Sequence, residues 1–386
     1  RGLTKRGHHV ELWRPPVRQE EFLRLADLAT EHEHPIPEYE KDSRFYIGRL
    51  WLYYKWSERI VAAMHEHSRR CAEEIDQGGF DLLFSNVDMV FHAPFISRHV
   101  HLPKTIYLHE PRRRLHEAMP ELPWILPDDP GLRGWGLNSI KKRGRASIAV
   151  YHDRVALTEE LKNIRPFDQI LVNSRFSRES VLRAYGLDSE VCYLGIDTDL
   201  FENRSLERER FVISLGSLIP TKNPEFVIES IARIPEGTRP TLVWVGNTKD
   251  EAYLSRMKRL AAELGVTFVP RLYITDEELV DLLNRAWAMV YAPRLEPFGF
   301  APLEACSCGC PVIAVAEGGV RETVVDGENG LLCEHDPQEF ADAVLRLLED
   351  KPLRDRLGAQ ASQVVRSRWT LEAADDRLEA KLAKIL

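Results

Sequence analysis

The sequence predicts an α/β protein of two doubly wound parallel-sheet domains facing a cleft. Short, near-continuously apolar runs alternate with amphipathic helical stretches, the pattern of strands buried on both faces of a parallel sheet. The series occurs twice, at 80–84, 104–108, 168–172 and 190–194, and again at 211–215, 241–245, 266–269, 288–292 and 311–315. The length, 386 residues, suits two domains of roughly 100–200 residues each.

Taken in order, RGLTKRGHHVEL reads as the end of a helix, a break at Gly7 and then a strand; Lys5 and Arg6 suit the negative end of that helix. A domain rarely begins so, and a first strand with its loop is expected to precede this numbering. Residues 41–76 read as an aromatic helix carrying Phe45, Tyr46, Trp51, Tyr53, Tyr54 and Trp56. Residues 120–145, rich in Pro, Gly and Trp, read as an irregular insertion, and helices are expected over 150–165 and 175–185. The polar stretch NRSLERER at 203–210 reads as a linker, followed by helices at 223–234, 250–264, 276–286 and 337–349. The expected division is 1–204, 205–368, and a carboxyl-terminal helix in 369–386 packing back towards the first domain.

Composition excludes several classes. Apolar residues make up 44% and charged residues 29%, ordinary values for a globular protein. The net charge is −8, which argues against a nucleic-acid partner. No run of 18 apolar residues predicts a spanning helix, and no signal peptide is read. Cys71, Cys192, Cys306, Cys308, Cys310 and Cys333 lack disulfide-framework or zinc spacing. Reduced thiols and a cytoplasmic location are the expectation. Arg112 to Arg114 and Lys141, Lys142, Arg143 and Arg145 form local basic clusters. They read either as solvated surface or as a patch for phosphate or anionic lipid at the inner membrane face, to which the aromatics at 45–56, Trp124 and Trp135 could add; the alternative for these aromatics is packing inside the first domain.

The densest chemical signal is RLEPFGFAPLEACSCGCPVIAV at 294–315. A strand runs into a loop with Pro297 and Gly299, and a helix starts near Phe300. Such a junction is an anion site, because the first helical amides lack partners and point outward. Gly299 lets a ligand approach the backbone. Glu296 and Glu304 flank the site and would repel phosphate, so sugar and ribose hydroxyls are their natural partners. The alternative for Glu304 is an acid in the helix's first turn, worth ~0.3–1 kcal/mol to the helix alone. In FVISLGSLIPTKNP, Lys222 follows a strand and the Gly216 turn, where its charge suits a diphosphate. Alone, it could equally be a solvated lysine. His109 ends the strand IYLHE, at the sheet edge where ligands bind, or is simply structural.

These pieces together resemble the family 4 glycosyltransferases of GT-B fold, with two Rossmann-like domains. The likeness is strong over 168–365 and looser before. It rests on Glu296-PFGFAPL-Glu304, on CGCPVIAVAEGGVRETVVDGENGLL, on VNSRFSRESVLRAYG and GIDTDLF, and on HEPRR at 109–113. The resemblance implies a retaining hexosyltransferase using a UDP- or GDP-linked sugar, with a sugar or lipid-linked hydroxyl acceptor. No metal and no further cofactor is implied. Glu296 would hold the sugar hydroxyls, Glu304 the ribose, Lys222 the diphosphate, and His109 the donor sugar near its reacting carbon. The donor-binding set would be Gly216, Ser217, Phe298, Gly299, Phe300, Ala301 and Glu304, with backbone at Arg271 and Leu272 reading the base. One departure is Ser217, where the family usually has an Arg, whose charge and donor fork a hydroxyl lacks. The family's amino-terminal Gly-rich loop is also not in the sequence. A GT-B epimerase and a non-catalytic sugar-nucleotide binder are the competing readings.

Overall fold

The computed structural model describes residues 1–16, 27–37, 46–116, 136–248 and 250–386. Phe45, Trp124 and Trp135 lie outside them. The chain divides into two compact units. The first holds Arg1–Val172, Ser177–Cys192 and Leu378–Leu386; the second holds Asn173–Phe176 and Tyr193–Arg377.

In the first unit, a short helix Gly2–Lys5 ends at Gly7, whose φ of 90° needs glycine. Two strands follow, β1 (Glu11–Arg14) and β2 (Thr30–Glu33), paired in parallel. A separate four-stranded sheet contains β3 (Leu83–Asn86), β4 (Lys104–His109), β5 (Gln169–Val172) and β6 (Glu190–Val191), parallel and in that order. The helices Tyr46–Gln77 and Leu137–Ile164 belong to this unit. Its core joins Ile106, Leu108, Ile170 and Val172 of the sheet to Ile164, Phe167, Val181 and Tyr185.

Two expectations change here. From Leu137 onward the supposed insertion is helix, because Leu137, Ile140 and Ile148 recur at helical spacing. Gly144, at a cost of about 1 kcal/mol, does not break a helix of 28 residues. Trp56, grouped by sequence with possible membrane aromatics, instead packs on the cluster around Ile60 and Phe91, its ring edge-on to His152 at 5.3 Å.

The second unit carries a six-stranded, all-parallel sheet in the order β12-β11-β10-β7-β8-β9. The strands are β7 (Glu209–Leu215), β8 (Thr241–Gly246), β9 (Phe268–Leu272), β10 (Ala286–Tyr291), β11 (Val312–Val315) and β12 (Gly330–Cys333). Helices 224–233, 251–263, 276–285 and 337–349 match the expected ones within two residues. β12 and the helix Lys351–Arg368 are additional. β9 starts later than expected because Val266 is used otherwise: it closes the preceding helix through Gly265, its amide bonding Ala261 O at 2.8 Å.

The expected linker at 203–210 is built into the unit. Arg208 donates to the carbonyls of Leu283, Ala286, Cys308 and Gly309, satisfying the ends of two helices. Polarity in the sequence marked a half-buried capping arginine, and the main segment of the second unit begins at Tyr193 instead of 205. The chain's last residues belong to the first unit, where Lys381 and Lys384 both pair with Glu190, at 2.7 and 2.8 Å. No helix among the described residues is long and apolar enough to cross a membrane. The six cysteines are buried and unpaired with one another; burial pushes Cys310 up to about 11 and Cys333 to about 12.

Candidate active site

The strand order of the second sheet reverses between β7 and β10. Loops leaving the carboxyl ends of these two strands diverge and open a crevice, the usual ligand site of a doubly wound sheet. Lys222 lies on the loop after β7 and Glu296 on the loop after β10. Their side chains meet: Lys222 Nζ donates to Glu296 Oε2 at 2.6 Å, with the side chains 26% and 18% exposed. The pair is within reach of water and thus of a ligand.

The surroundings hold that meeting point. Gly216 makes the turn after β7, and the stem of Lys222 runs over it, so a Cβ there would stand 3.4 Å from Cγ and Cδ. Trp244 Nε1 donates to Gly216 O at 2.9 Å, and Gly246 lies so close that a Cβ would overlap that same carbonyl. The two loops are stitched together by Arg294 N–H donating to Thr221 O at 2.9 Å. From the other side, Gly319 N–H donates to Glu296 O at 2.7 Å, and Ser174 Oγ donates to Pro297 O at 2.5 Å. A Cβ on Gly318 would overlap Glu296 O, and one on Gly319 would overlap Pro297 O. Glycine is needed at both places for close backbone approach. Tyr291 is buried at the end of β10, close to the Glu296 and Glu304 carboxylates. Burial first, then the charges of Glu296 and Glu304, push its phenol well above the ordinary range, so it stays neutral.

The helix Phe300–Ser307 starts immediately beyond. Gly299 is its N-cap at φ 96°, and no side chain caps it. The amides of Phe300 and Ala301 therefore present an uncapped, positive helix end. Pro302 follows within the first turn, where its lack of an N–H costs nothing. Glu304 comes in the second turn, and the first contains no acid. Its explanation as a first-turn helix stabiliser fails on that register. Burial, then Asp276, raises its carboxyl to about 7.

Arg271 and Leu272 end β9, in register with Val245 and Gly246 of β8, so their backbone lies on the same sheet edge as the Gly216 turn. Arg271 pairs with Glu278 at 3.5 Å, and Glu278 also completes a capping box with Thr275. Ser217 is exposed on the turn. Phe298 offers only backbone. Its side chain, 2% exposed, is core, edge-on to Phe300 at 5.1 Å and Trp369 at 5.6 Å. Ala301 is likewise buried, while the Phe300 side chain is 42% exposed. The second unit thus gathers every expected donor residue along one sheet edge, together with Lys222 and Glu296.

His109 belongs to the first unit, at the carboxyl end of β4, with φ 62°. That left-handed backbone is uncommon outside glycine and marks a strained position. Burial, aided by nearby His92, depresses its imidazole to about 4, so the ring is neutral at physiological pH. His92 Nε2 donates to Glu110 O at 2.5 Å and fixes the turn beyond. Among the described residues, no group of three or more His, Cys, Asp or Glu could hold a metal ion.

Sequence reasoning missed Tyr291, Gly246 and the Gly318–Gly319 pair. The glycine pair had a signal, AEGGV after an apolar strand; Tyr291 and Gly246 had none beyond their places at strand ends.

Comparison with known proteins bears on the same region. Residues 195–364 match the family described as glycosyl transferases group 1. The D-inositol 3-phosphate glycosyltransferase of a Nocardioides species is 30% identical over 230 residues, 52% of this chain and 50% of that protein. Human alpha-1,3/1,6-mannosyltransferase ALG2 is 28% identical over 254 residues, 57% of this chain and 59% of that protein. The chain spans about half the length of the first of these curated relatives. Among solved structures, sucrose-phosphate synthase from Thermosynechococcus elongatus superposes with a TM-score of 0.68 at 18% identity, over 100% of this chain and 90% of that one. Anabaena HepE in complex with UDP gives 0.62 at 18% identity, over 93% and 88%. At such identity the likeness speaks to fold, and the fold is GT-B, with Rossmann-like parallel-sheet units as the sequence led one to expect.

Proposed function

We propose that the chain is a retaining, family 4 hexosyltransferase that takes its sugar from a UDP- or GDP-linked donor and passes it to a hydroxyl of a sugar or lipid-linked acceptor. The observation that carries this reading is the Lys222–Glu296 pair at 2.6 Å, set at the switch point beside an uncapped helix end. A cation and amides suit a diphosphate, while a carboxylate beside them suits hydroxyls. A nucleoside-diphosphate sugar carries both in the right order. The match of 195–364 to the group 1 family supports the same reading.

In this reading the incoming donor splits the ion pair. Lys222 turns to the diphosphate and Glu296 to the sugar hydroxyls. Glu304 takes the ribose, and backbone at Arg271 and Leu272 takes the base. As the glycosidic bond breaks, negative charge grows on the diphosphate and positive charge on the sugar carbon. Lys222 and the amides of Phe300 and Ala301 stabilise the leaving group, and fixed donors of this kind are worth about 3–4 kcal/mol each. The chemistry runs by front-face displacement without a metal. From the first unit we assign His109, whose neutral ring can exchange hydrogen bonds with sugar hydroxyls without opposing the cationic carbon. Six buried thiols suit a reducing, cytoplasmic setting.

The test is a thermal-shift screen of UDP- and GDP-sugars, followed by a hydrolysis assay with the donor that stabilises most. A transferase leaks some sugar to water. Stabilisation without any release of sugar, with or without acceptors, would favour the non-catalytic binder, and interconversion of the free donor would favour the epimerase. Activity lost in EDTA and restored by a divalent cation would overturn metal independence.

A further inference from the structure

We propose that His335 is a positioning residue for Lys222: its neutral ring accepts a hydrogen bond from the Asn223 side chain and so holds the turn that carries the lysine. This rests on the reading of Lys222 as the cation of the diphosphate, and the experiment separates the failure of one from the failure of the other.

The two partners come from distant parts of the second sheet. Lys222 and Asn223 lie on the loop after β7, and His335 lies just beyond β12, the edge strand, three places away in the sheet. Asn223 stands at the N-cap of the helix Pro224–Arg233, where its side chain would ordinarily accept from an amide of the first turn. Here it makes no capping bond, and its backbone is left-handed, with φ 58° and ψ 46°. Its Nδ2 instead meets His335 Nε2 at 3.0 Å. An amide nitrogen only donates, so Nε2 is the acceptor and the ring carries its one proton on Nδ1. The imidazole is itself anchored. It stacks on Phe226 at 4.3 Å, and Phe226, edge-on to Phe340 at 5.3 Å, is core. The next residue, Asp336, caps the helix Pro337–Glu349 through the amides of Gln338 and Glu339. The ring is the fixed point and the turn is what it fixes.

Main-chain bonds set the path of the turn: Lys222 N–H to Ile219 O and Asn223 N–H to Pro220 O, both at 3.0 Å, and Arg294 N–H to Thr221 O at 2.9 Å. The side-chain tie adds stiffness beside the residue whose charge must stay aimed at the leaving group. That demand is greatest in the transition state, when the charge on the diphosphate has grown. Loss of the tie should therefore appear in kcat more than in KM.

The tie is also sensitive to protons, because a ring protonated on both nitrogens accepts nothing. The charges that act on the ring are Arg294, from the loop after β10, and Glu317, from the loop after β11. Glu334 and Asp336 flank it on its own loop, with Asp336 turned to the helix amides. Glu225, on the helix that carries Phe226, is turned to Tyr253 and Arg256. Burial first, then Arg294, lowers the imidazole below its ordinary range, and Glu317 opposes them. The tie is thus made at neutral pH and lost on acidification.

The experiment is hydrolysis of the stabilising donor by the full chain, followed across pH at saturating donor, with melting temperatures alongside. Saturation keeps any effect of Glu304 on donor binding out of kcat. Asn223→Gly deletes the amide and leaves a left-handed backbone free of strain. It should lower kcat about tenfold, with KM and melting nearly unchanged. His335→Ala should lower kcat as much, and because it also loses the stack on Phe226 its melting should fall. The double variant should lose no more turnover than either single one, since one bond is removed. His335→Gln offers an amide oxygen in the place of Nε2 and does not titrate. It should keep most of the turnover and erase the fall in kcat that the parent shows below about pH 6.5. In a Lys222→Ala background neither change should cost anything further, because no lysine is left to aim. Full turnover in Asn223→Gly would overturn the proposal. So would a loss that persists undiminished in the Lys222→Ala background, or an acid fall in kcat that His335→Gln leaves in place. Lys222→Ala with the turnover of the parent would instead remove the diphosphate reading itself, a result distinct from a silent Asn223→Gly in a protein that needs its lysine.

Discussion

The carboxyl edges of the two sheets use their ionisable groups in opposite ways. In the first unit they are turned inward. Asp88 Oδ1 accepts from the amides of Val90 and Phe91 at 2.6 Å each, and burial raises its carboxyl. Glu160, fully buried, accepts the Tyr185 hydroxyl. His109 is held neutral, depressed to about 4. In the second unit Lys222 and Glu296 remain partly exposed and partner each other, so a ligand that brings an anion and a hydroxyl can replace both contacts. The first edge has spent Asp88 and Glu160 on holding its own structure. The second keeps its ion pair available for exchange, which is what the proposed donor site requires.

Breaking the second edge should therefore cost function before it costs fold. Lys222→Ala removes the one charge assigned to the leaving group and should lower donor turnover about a hundred- to a thousandfold. Its melting temperature should hardly move, because the lost ion pair is partly solvated. Turnover like that of the parent would remove Lys222 from the mechanism. Gly319→Ala attacks the same edge through its frame. Its Cβ would push on Pro297 O, displacing the loop that bears Glu296. We expect a loss of about 1–3 kcal/mol in stability and a donor affinity lowered at least tenfold, read by chemical denaturation and calorimetry. A stable variant with unchanged affinity would show that the glycine pair does not position the loop.

The sequence made much of this edge legible, for identifiable reasons. Strands β7, β8, β10 and β11 are apolar on both faces and announce themselves. Lys222, Glu296 and Glu304 sit at strand-to-helix junctions, where charge has few structural uses. β2, by contrast, is the polar TEHE. It is tied to β1 by Arg14 Nε to Glu31 at 2.9 Å and by His32 to Glu11 at 2.6 Å, so no alternation of apolar residues reveals it. The helix from Leu137 was hidden by the glycines and prolines just before it. Gly246, Gly318 and Gly319 contribute by having no side chain, and what they make room for lies elsewhere in the chain. Arg208 read as linker because its acceptors are backbone carbonyls, which a sequence does not display.

The pH dependence sharpens the contrast between the edges. Glu304 is raised from the ordinary carboxylate range to about 7 by burial, with Asp276 adding to it. A raised carboxyl means that ionisation is penalised in the folded state. The penalty is absent below the unfolded value near 4.5, grows as pH rises, and is complete above about 7. Ribose hydroxyls donating to the carboxylate oppose that penalty, so donor binding should release a proton. Affinity should then rise with pH, by up to about tenfold per unit below 7, and level off above it. Titration calorimetry in buffers of different ionisation heat would count the proton. Glu304→Gln should abolish both the release and the slope, and a slope that survives this change would assign the titration elsewhere. His109, already neutral throughout this range, should add no slope of its own.

Ser217→Arg tests whether the second edge is complete. The turn carries an exposed Ser where the family 4 glycosyltransferases that the sequence resembles usually place a guanidinium, and Ser217 O accepts from Ile219 N–H at 2.9 Å. An exposed side chain can be enlarged without repacking a core, so the fold should tolerate the change. If Lys222 and the helix amides leave part of the diphosphate charge unmet, an added guanidinium should tighten donor binding about fivefold, the value of roughly 1 kcal/mol from a solvated charged contact. The gain should shrink as salt rises, because the new contact lies near water. The Lys222→Ala background gives the stronger version of the measurement. There the added Arg should recover a larger fraction of the lost turnover than it adds to the parent, since both side chains serve the same charge. Equal factors in the two backgrounds would mean that position 217 and Lys222 do not share a ligand, and the turn after β7 would then lie outside the diphosphate site.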